Sequence, residues 1–268
     1  MSMINDNPGF DRLNYMLNET GMTIREMART FGVPYHRGYS WVKQAGVQTR
    51  SRGQLMHDLR GNHIELTQFA KEALYGMLMG DGGMYSQSPY SAYFSVCNKS
   101  RGVIRKTYSI LRRYGIEKVG RIWKKDSGYG KTWVLATRSY AEFLPIRQQF
   151  YPEGVKVIPE DLRLTPTVCL YWFLGDGNRT RKAGLRLATN CFTAADIDFT
   201  IDKFEDLDIV CSKHKAGIRT DGEQAYVLYI KRESRDDFFD YIGVCPLGFR
   251  RTLGHRWDRV VPYTEEKA

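Results

Sequence analysis

Two apolar runs in this 268-residue chain stop at the same three letters. Residues 74–84 read LYGMLMGDGGM and residues 169–179 read CLYWFLGDGNR, with the second Asp 95 positions after the first. Both runs are apolar on every side, so each predicts a buried helix. Asp81 and Asp176 then fall at helix C-termini, where the macrodipole is negative and nothing local favours a carboxylate. One such ending is compatible with a glycine turn that carries an incidental Asp. Two, at matched places, point to two carboxylates collected at one spot. Like charges that face each other need a divalent cation between them or a proton on one of them. Mg2+ fits, since it takes oxygen ligands and keeps waters to ionise or orient. Beside a basic surface, the matching chemistry is metal-assisted phosphodiester hydrolysis.

The segments after each run repeat as well. The first copy continues with strand patterns at GGMYSQ and YSAYFSVCN, a helix at SRGVIRKTYSILRRYGI, strands at KVGRIWKKD and KTWVLATR, and a helix at SYAEFLPIRQQFY. The second has a strand region near AGLRLATNC, a helix at TAADIDFTIDKFEDLDI, strands at VCSKHKAGIR and AYVLYIKR, and a helix at SRDDFFDYIG. Each copy is helix-strand-strand-helix-strand-strand-helix. Short Gly-containing turns imply hairpins, hence an α+β fold of antiparallel sheets with helices on one face. SGYGKTW has Lys125 where a phosphate loop needs glycine, so it reads as a hairpin turn. Alternation puts Tyr85, Gln87, Tyr93, Ser95, Arg121, Trp123, Lys125 and Lys131 on the free face of the first sheet. It puts Lys182, Arg186, Lys213, Lys215 and Arg219 on that of the second. Each is also an ordinary solvated residue when taken singly; as a set they suit a nucleic acid groove.

The first 66 residues carry a different signature. MTIREMARTFGVPYHRGYSWVKQAG predicts helix, tight turn, helix. Thr23 and Glu26 can form a capping box. Met27, Ala28 and Phe31 face a core, Gly32 takes the left-handed turn, Pro34 opens the second helix, and Trp41 and Val42 pack it back. Tyr35, His36, Arg37, Ser40 and Lys43 then point outward. The pattern is similar to a DNA-binding helix-turn-helix with the second helix as reader; a helical hairpin used only for packing has the same core. The basic linker QTRSRGQ adds Arg50 and Arg52 as phosphate contacts.

Formal net charge is +10, and residues 69–165 alone hold 16 basic and 8 acidic side chains. That balance suits a polyanion, nucleic acid being the commonest, and equally a merely basic soluble protein. The acidic run DIDFTIDKFEDLD belongs on an outer helix. The tail FRRTLGHRWDRV offers Arg250, Arg251 and Arg256 as backbone clamps, or Trp257 as a packing residue. Five cysteines, odd in number and with no CxxC pair, fit a reducing compartment without structural zinc. No secretion signal and no membrane-length apolar run is legible, so a cytoplasmic protein is expected.

LYGMLMGDG and CLYWFLGDG resemble the two copies of the motif that names the LAGLIDADG homing endonucleases, and the resemblance extends over roughly residues 67–245. It implies a single-chain, pseudo-twofold monomer of two αββαββα repeats, 67–163 and 164–268, whose curved sheets saddle double-stranded DNA. It implies cleavage of both strands across the minor groove of a long asymmetric site, and carriage by introns, inteins or phage genomes. Asp81 and Asp176 become metal ligands, with the Gly80 and Gly175 carbonyls as secondary ones; Mg2+ is the expected ion, with Ca2+ or Mn2+ able to substitute in binding. Lys231 matches the family's basic residue at a strand end, while its first-repeat counterpart falls near Ala136. Asn98 matches the residue that orients water, with Cys191, beside Asn190, as its counterpart. Tyr171 stands where Gly76 does, so Tyr171 and Trp172 are expected to pack outward or to alter the helix crossing. Two rivals share the fold: an intron maturase, and a regulator that binds DNA without cutting it.

Overall fold

The computed structural model describes residues 7–49, 53, 61–127, 130–180 and 184–257. The chain divides into two compact units, Met1–Gly61 and Asn62–Ala268. No helix among the described residues is long and apolar enough to cross a membrane.

In the first unit, helix α1 (Phe10–Asn14) runs on into a π-helical turn (Tyr15–Glu19). Then come α2 (Ile24–Thr30) and α3 (Tyr35–Gln44). Thr23 and Glu26 form the capping box: Thr23 Oγ1 accepts from Glu26 N at 3.2 Å, and Glu26 Oε2 accepts from Thr23 N at 2.8 Å. Gly32 has φ +65°, the left-handed turn that only a residue without Cβ adopts at no cost. Gly38 lets α3 lie close on α2, since a β-carbon there would stand 2.9 Å from that of Ala28. Leu13, Met16, Leu17, Met27, Trp41, Val42 and Val47 make the core. Leu13, Met16 and Leu17 come from a first helix that the helix-turn-helix pattern did not include.

In the second unit, α4 (Gln68–Met79), β1 (Gly82–Ser88), β2 (Ser91–Asn98), α5 (Arg101–Arg113), β3 (Trp123–Ser127), β4 (Gly130–Ala136) and α6 (Phe143–Phe150) form the first repeat. The second has α7 (Pro166–Asp176), β5 (Gly177–Arg179), β6 (Leu185–Leu187), α8 (Ala194–Glu205), β7 (Cys211–Ile218), β8 (Gln224–Ile230) and α9 (Arg235–Ile242), followed by α10 (Leu247–Leu253). The sheets have the same antiparallel order, β1-β2-β4-β3 and β5-β6-β8-β7. Hydroxyl side chains start four of the helices: Thr67, Ser100, Thr165 and Thr193 each accept a first-turn backbone N–H. One hydrophobic core runs through both repeats.

The register shows how alike the repeats are. Gly82 pairs with Val96 and Val96 with Leu135; Gly177 pairs with Leu187 and Leu187 with Leu228. Each central helix therefore delivers its Gly-Asp-Gly into the same row of its sheet. The two helices touch along a seam. A β-carbon on Gly76 would collide with the Val168 carbonyl and stand 2.8 Å from Tyr171 Cβ. Gly76 is the hole into which Tyr171 fits. Of the two expectations for Tyr171 and Trp172, outward packing or an altered helix crossing, outward packing is corrected: both are buried. The Tyr171 hydroxyl lies 2.6 Å from that of Tyr114, in the first repeat. Trp172 stacks on Phe204 at 6.2 Å, in the second repeat's core. Tyr171 thus faces Gly76, and the seam closes without a second glycine opposite the first.

Gly76→Ala is expected to lose about 2 kcal/mol or more, because the new methyl meets backbone that cannot rotate away. A lower urea midpoint at unchanged slope is the readout, and an unchanged midpoint would contradict the seam as described.

Candidate active site

The seam tightens where the helices end. A β-carbon on Gly80 would stand 3.4 Å from Gly175 Cα, and one on Gly175 would stand 3.2 Å from Asp81 N. Backbone meets backbone there, and a β-carbon at either position would fit only tightly. The Asp81 and Asp176 carboxyls are thereby brought close enough for each to act on the ionisation of the other. Asn98 Nδ2 donates to Asp81 Oδ2 at 3.1 Å, and Asn98 Oδ1 accepts from Ser100 N at 2.9 Å, so the amide is fixed as it holds the carboxylate. By register the position equivalent to Asn98 is Thr189, which is fully buried, donates to Tyr226 O at 2.9 Å and accepts from Leu228 N at 3.1 Å. Cys191, the counterpart expected from the sequence, lies near enough to Asp176 and Lys156 for their charges to act on its thiol.

Burial raises the pKa of Asp81, although the residue keeps some exposed surface; the hydrogen bond from Asn98 works the other way. Burial, and then the charge of Asp81, push Asp176 up to about 7. The free protein therefore keeps a proton on the pair well above the ordinary carboxylate range. Two cations supply opposing charge: Lys156, which nothing in the sequence marked, and Arg256, which the sequence offered only as a clamp on nucleic-acid backbone. Lys156, between the repeats, donates through Nζ to Gly80 O at 3.1 Å and Gly82 O at 3.2 Å. Arg256 donates to the carbonyls of Phe173, Leu174 and Gly175 at 3.0, 2.9 and 3.2 Å. No sequence pattern marks Lys156, which sits in a stretch without periodicity. Among the described residues no third His, Cys, Asp or Glu joins the pair as a metal-ligand cluster.

The register also tests the alternation. On the first sheet Tyr85, Tyr93, Ser95, Trp123 and Lys125 share the face turned away from the helices. Tyr85 lies against Tyr93 at 5.6 Å between ring centroids, and Trp123 is 43% exposed. Ser95 Oγ donates to Leu135 O at 3.1 Å. Gln87 and Arg121 are exposed, the first within a register shift and the second ahead of β3. Lys131 is corrected: it pairs with Asp126 and shares the face of Trp133, which packs toward the core. On the second sheet Arg186 is on the free face with Asn178 and Tyr229, in one row. Lys213 and Lys215 are corrected too. They pair with Leu228 and Tyr226, both core-facing, and Lys213 is ion-paired to Asp198 on the covering helix α8. The free face there carries Ser212 and His214 instead, which lie 3.0 Å apart. Arg219 lies past the end of β7, bonded to Asp221 at 2.7 Å, with its side chain 9% exposed. Lys182, Arg50 and Arg52 lie outside the described residues.

Lys231 is not beside the acidic pair. Register puts Ile230 level with Leu185 and Arg179, so Lys231 falls level with Thr180. That is four residues along from Asp176, or roughly 13 Å of strand. In the tail, Trp257 packs between Phe173 and Phe239, at 5.0 and 5.9 Å, and Arg250 Nε donates to Cys245 O at 3.2 Å. Arg251 is exposed. In the first unit Tyr35, His36 and Lys43 are exposed on α3, with Arg37 and Ser40 half-buried. Tyr39, absent from the expected set, is 51% exposed and stacks on Tyr35 at 6.3 Å; its spacing of four from Tyr35 was the signal available.

A sequence model described as the LAGLIDADG DNA endonuclease family matches residues 71–238. Over 76 residues, 27% of the chain, it is 36% identical to protein MJ1098 of Methanocaldococcus jannaschii, covering 30% of that protein. Over 65 residues, 24% of the chain, it is 35% identical to the cytochrome b mRNA maturase bI2 of Debaryomyces hansenii, covering 24% of that protein. The chain thus spans less than a third of the length of these curated relatives. Among solved structures, the fold is similar to that of the homing endonuclease I-WcaI bound to its DNA recognition sequence. The TM-score is 0.57 at 20% identity, with 75% of this chain and 91% of that one covered.

A carboxyl whose folded pKa lies above its unfolded value stabilises the fold when protonated, and that stability drains away as pH rises through the folded value. In chelator, the protein is expected to lose stability between about pH 4 and pH 8 through Asp176. Asp176→Asn removes the repulsion and is expected to raise Tm at pH 8 by on the order of 5 °C, and far less at pH 4. Equal shifts at both pH values would contradict the pairing.

Proposed function

The chain belongs to the LAGLIDADG DNA endonuclease family, and from that premise we propose that it is a site-specific, divalent-metal-dependent endonuclease of double-stranded DNA. The observation that carries the reading is the meeting of Asp81 and Asp176, one from each repeat, at helix ends joined through Gly80 and Gly175. Two crowded carboxyls that repel one another are a donor set that a divalent cation satisfies. Asp81 and Asp176 would hold the ion, with further oxygens from carbonyls such as those of Gly80 and Gly175 and from phosphate. When bound, such an ion supplies Lewis-acid stabilisation of the phosphate and a more acidic water; Mg2+ is the ion we assign.

The remaining roles belong to the chain. Asn98 holds the Asp81 carboxylate by one oxygen, leaving the other to a ligand. The free faces of the two sheets lie beside the pair and would enter the major groove on either side of the cut. They are not alike: Tyr85, Tyr93 and Trp123 give the first an aromatic surface, and Asn178, Arg186 and His214 give the second a polar one. Readout would then favour apolar contact in one half-site and hydrogen bonds to base edges in the other. The α3 surface, with Tyr35, His36, Tyr39 and Lys43, would add a separate duplex contact of the helix-turn-helix kind. The chain would act as a monomer, since both halves of the centre lie in one polypeptide.

A maturase reading draws on the match to the cytochrome b mRNA maturase. The two separate when the protein meets the uninterrupted form of its own insertion locus with Mg2+ and, in parallel, Ca2+. Cleavage with Mg2+ and binding alone with Ca2+ is the outcome expected of the endonuclease. Splicing that depends on the protein, without cleavage, would support the maturase.

Asp81→Asn and Asp176→Asn are each expected to lower double-strand cleavage by at least about 100-fold while DNA binding persists. A double variant that cuts at the parent rate would end the assignment. Arg186→Ala is expected to reduce the slope of log affinity against log salt by roughly 1, and Lys213→Ala to leave it unchanged. The reverse pattern would contradict the faces assigned here.

A further inference from the structure

The connector after the first repeat and the tail after the second each return one cation to the acidic centre. Lys156 binds the carbonyls of Gly80 and Gly82, at the end of α4; Arg256 binds those of Phe173, Leu174 and Gly175, at the end of α7. Each cation serves the helix of its own repeat. Gly80 caps the end of α4 and Gly82 opens β1, while Leu174 and Gly175 lie in the last turn of α7 and Phe173 O also accepts the Gly177 N–H; the helix-end carbonyls among them lie at the negative end of the macrodipole. The arrangement repeats the pseudo-symmetry of the fold, although the two segments share no sequence pattern. It also places positive charge where the strand-end residues do not: Lys231 is four residues along from the pair, and Ala136 ends the corresponding strand.

We propose that Lys156 and Arg256 are positioning residues that hold the two carboxyl-bearing helix ends together while no metal is bound, and that a divalent ion at Asp81 and Asp176 works against their charge. The proposal rests on the metal site of the function proposed above. Two carboxyls, two side-chain cations and two helix ends share one crowded volume. The side-chain cations offset the negative charge that would otherwise push the helix ends apart. A divalent ion brings the same kind of charge to the same place, so it is repelled by the cations that prepared its site. Gly80 and Gly175 carbonyls each already accept one hydrogen bond, which leaves one lone pair for any ion. The benefit of this arrangement is a preformed site; its cost is weaker metal affinity than the carboxyls alone would give.

Metal affinity and metal-free stability should therefore move in opposite directions when one cation is removed. The test uses the full chain, Ca2+ as probe, calorimetric titration for affinity, and thermal unfolding in chelator and in saturating Ca2+. Lys156→Met and Arg256→Met are expected to bind Ca2+ about fivefold more tightly than the parent. They are expected to unfold at lower temperature in chelator and to gain more from Ca2+ than the parent does. Lys156→Arg should stay within about twofold of the parent in affinity, because the charge is kept. A merely structural role lowers Tm equally with and without Ca2+ and leaves affinity alone; that result would overturn the proposal. Should Arg256→Met fail to fold, Lys156→Met decides, and Lys156→Gln offers the same charge loss with a polar side chain. A parent that binds no Ca2+ would remove the metal site of the proposed function and this proposal with it. A parent that binds Ca2+ no differently from the folded variants overturns this proposal alone.

Discussion

Two carboxyl groups that repel each other are held together by the backbone contact of two glycines, and the larger unit depends on that conflict being contained. Gly80 and Gly175 bring backbone against backbone at the helix ends, and Gly76 makes the matching hole for Tyr171 higher on the seam. The contact places Asp81 and Asp176 where each raises the cost of ionising the other. An apolar core of two repeats supports this arrangement from behind, with Trp172, Phe173 and Phe204 packed directly beneath it. Stability is thus spent at a single point, a pattern expected of a functional site rather than of a scaffold.

Around that point the two halves are alike in architecture and unlike in chemistry. Strand order, register and the placing of Gly-Asp-Gly repeat closely. The side chains do not. Asn98 touches a carboxylate, whereas its equivalent Thr189 is used up inside the sheet. The first free face is aromatic and the second polar. A single chain lets each half diverge in this way, because no symmetry forces one residue to serve both sites.

How much of this was legible depended on whether local pattern or register decided the question. The two helices, their glycines and their acids were legible because they repeat. So was the capping box of Thr23 and Glu26, since it is a local motif. Side-chain direction on a strand follows register, which the sequence leaves open by one residue. That one-residue ambiguity put Lys131, Lys213 and Lys215 on the wrong face, whereas Arg186 and Trp123 fell on the expected one. Lys231 matched by its place at a strand end, but the antiparallel pairing carries that end away from Asp176. Lys156 and Arg256 reach the centre from segments without periodicity, and only tertiary folding brings them there. Outward packing was offered for Tyr171 because a large residue in a seam of small ones looks like an obstacle until the glycine opposite it is seen.

The most direct test of the central claim is anomalous diffraction from crystals of the protein grown with Mn2+. The result expected is a Mn2+ peak between the carboxyls of Asp81 and Asp176, absent from crystals of the Asp81→Asn, Asp176→Asn double variant. A Mn2+ peak elsewhere, or carboxyls that stand apart without one, would contradict a metal centre at the meeting of the two repeats.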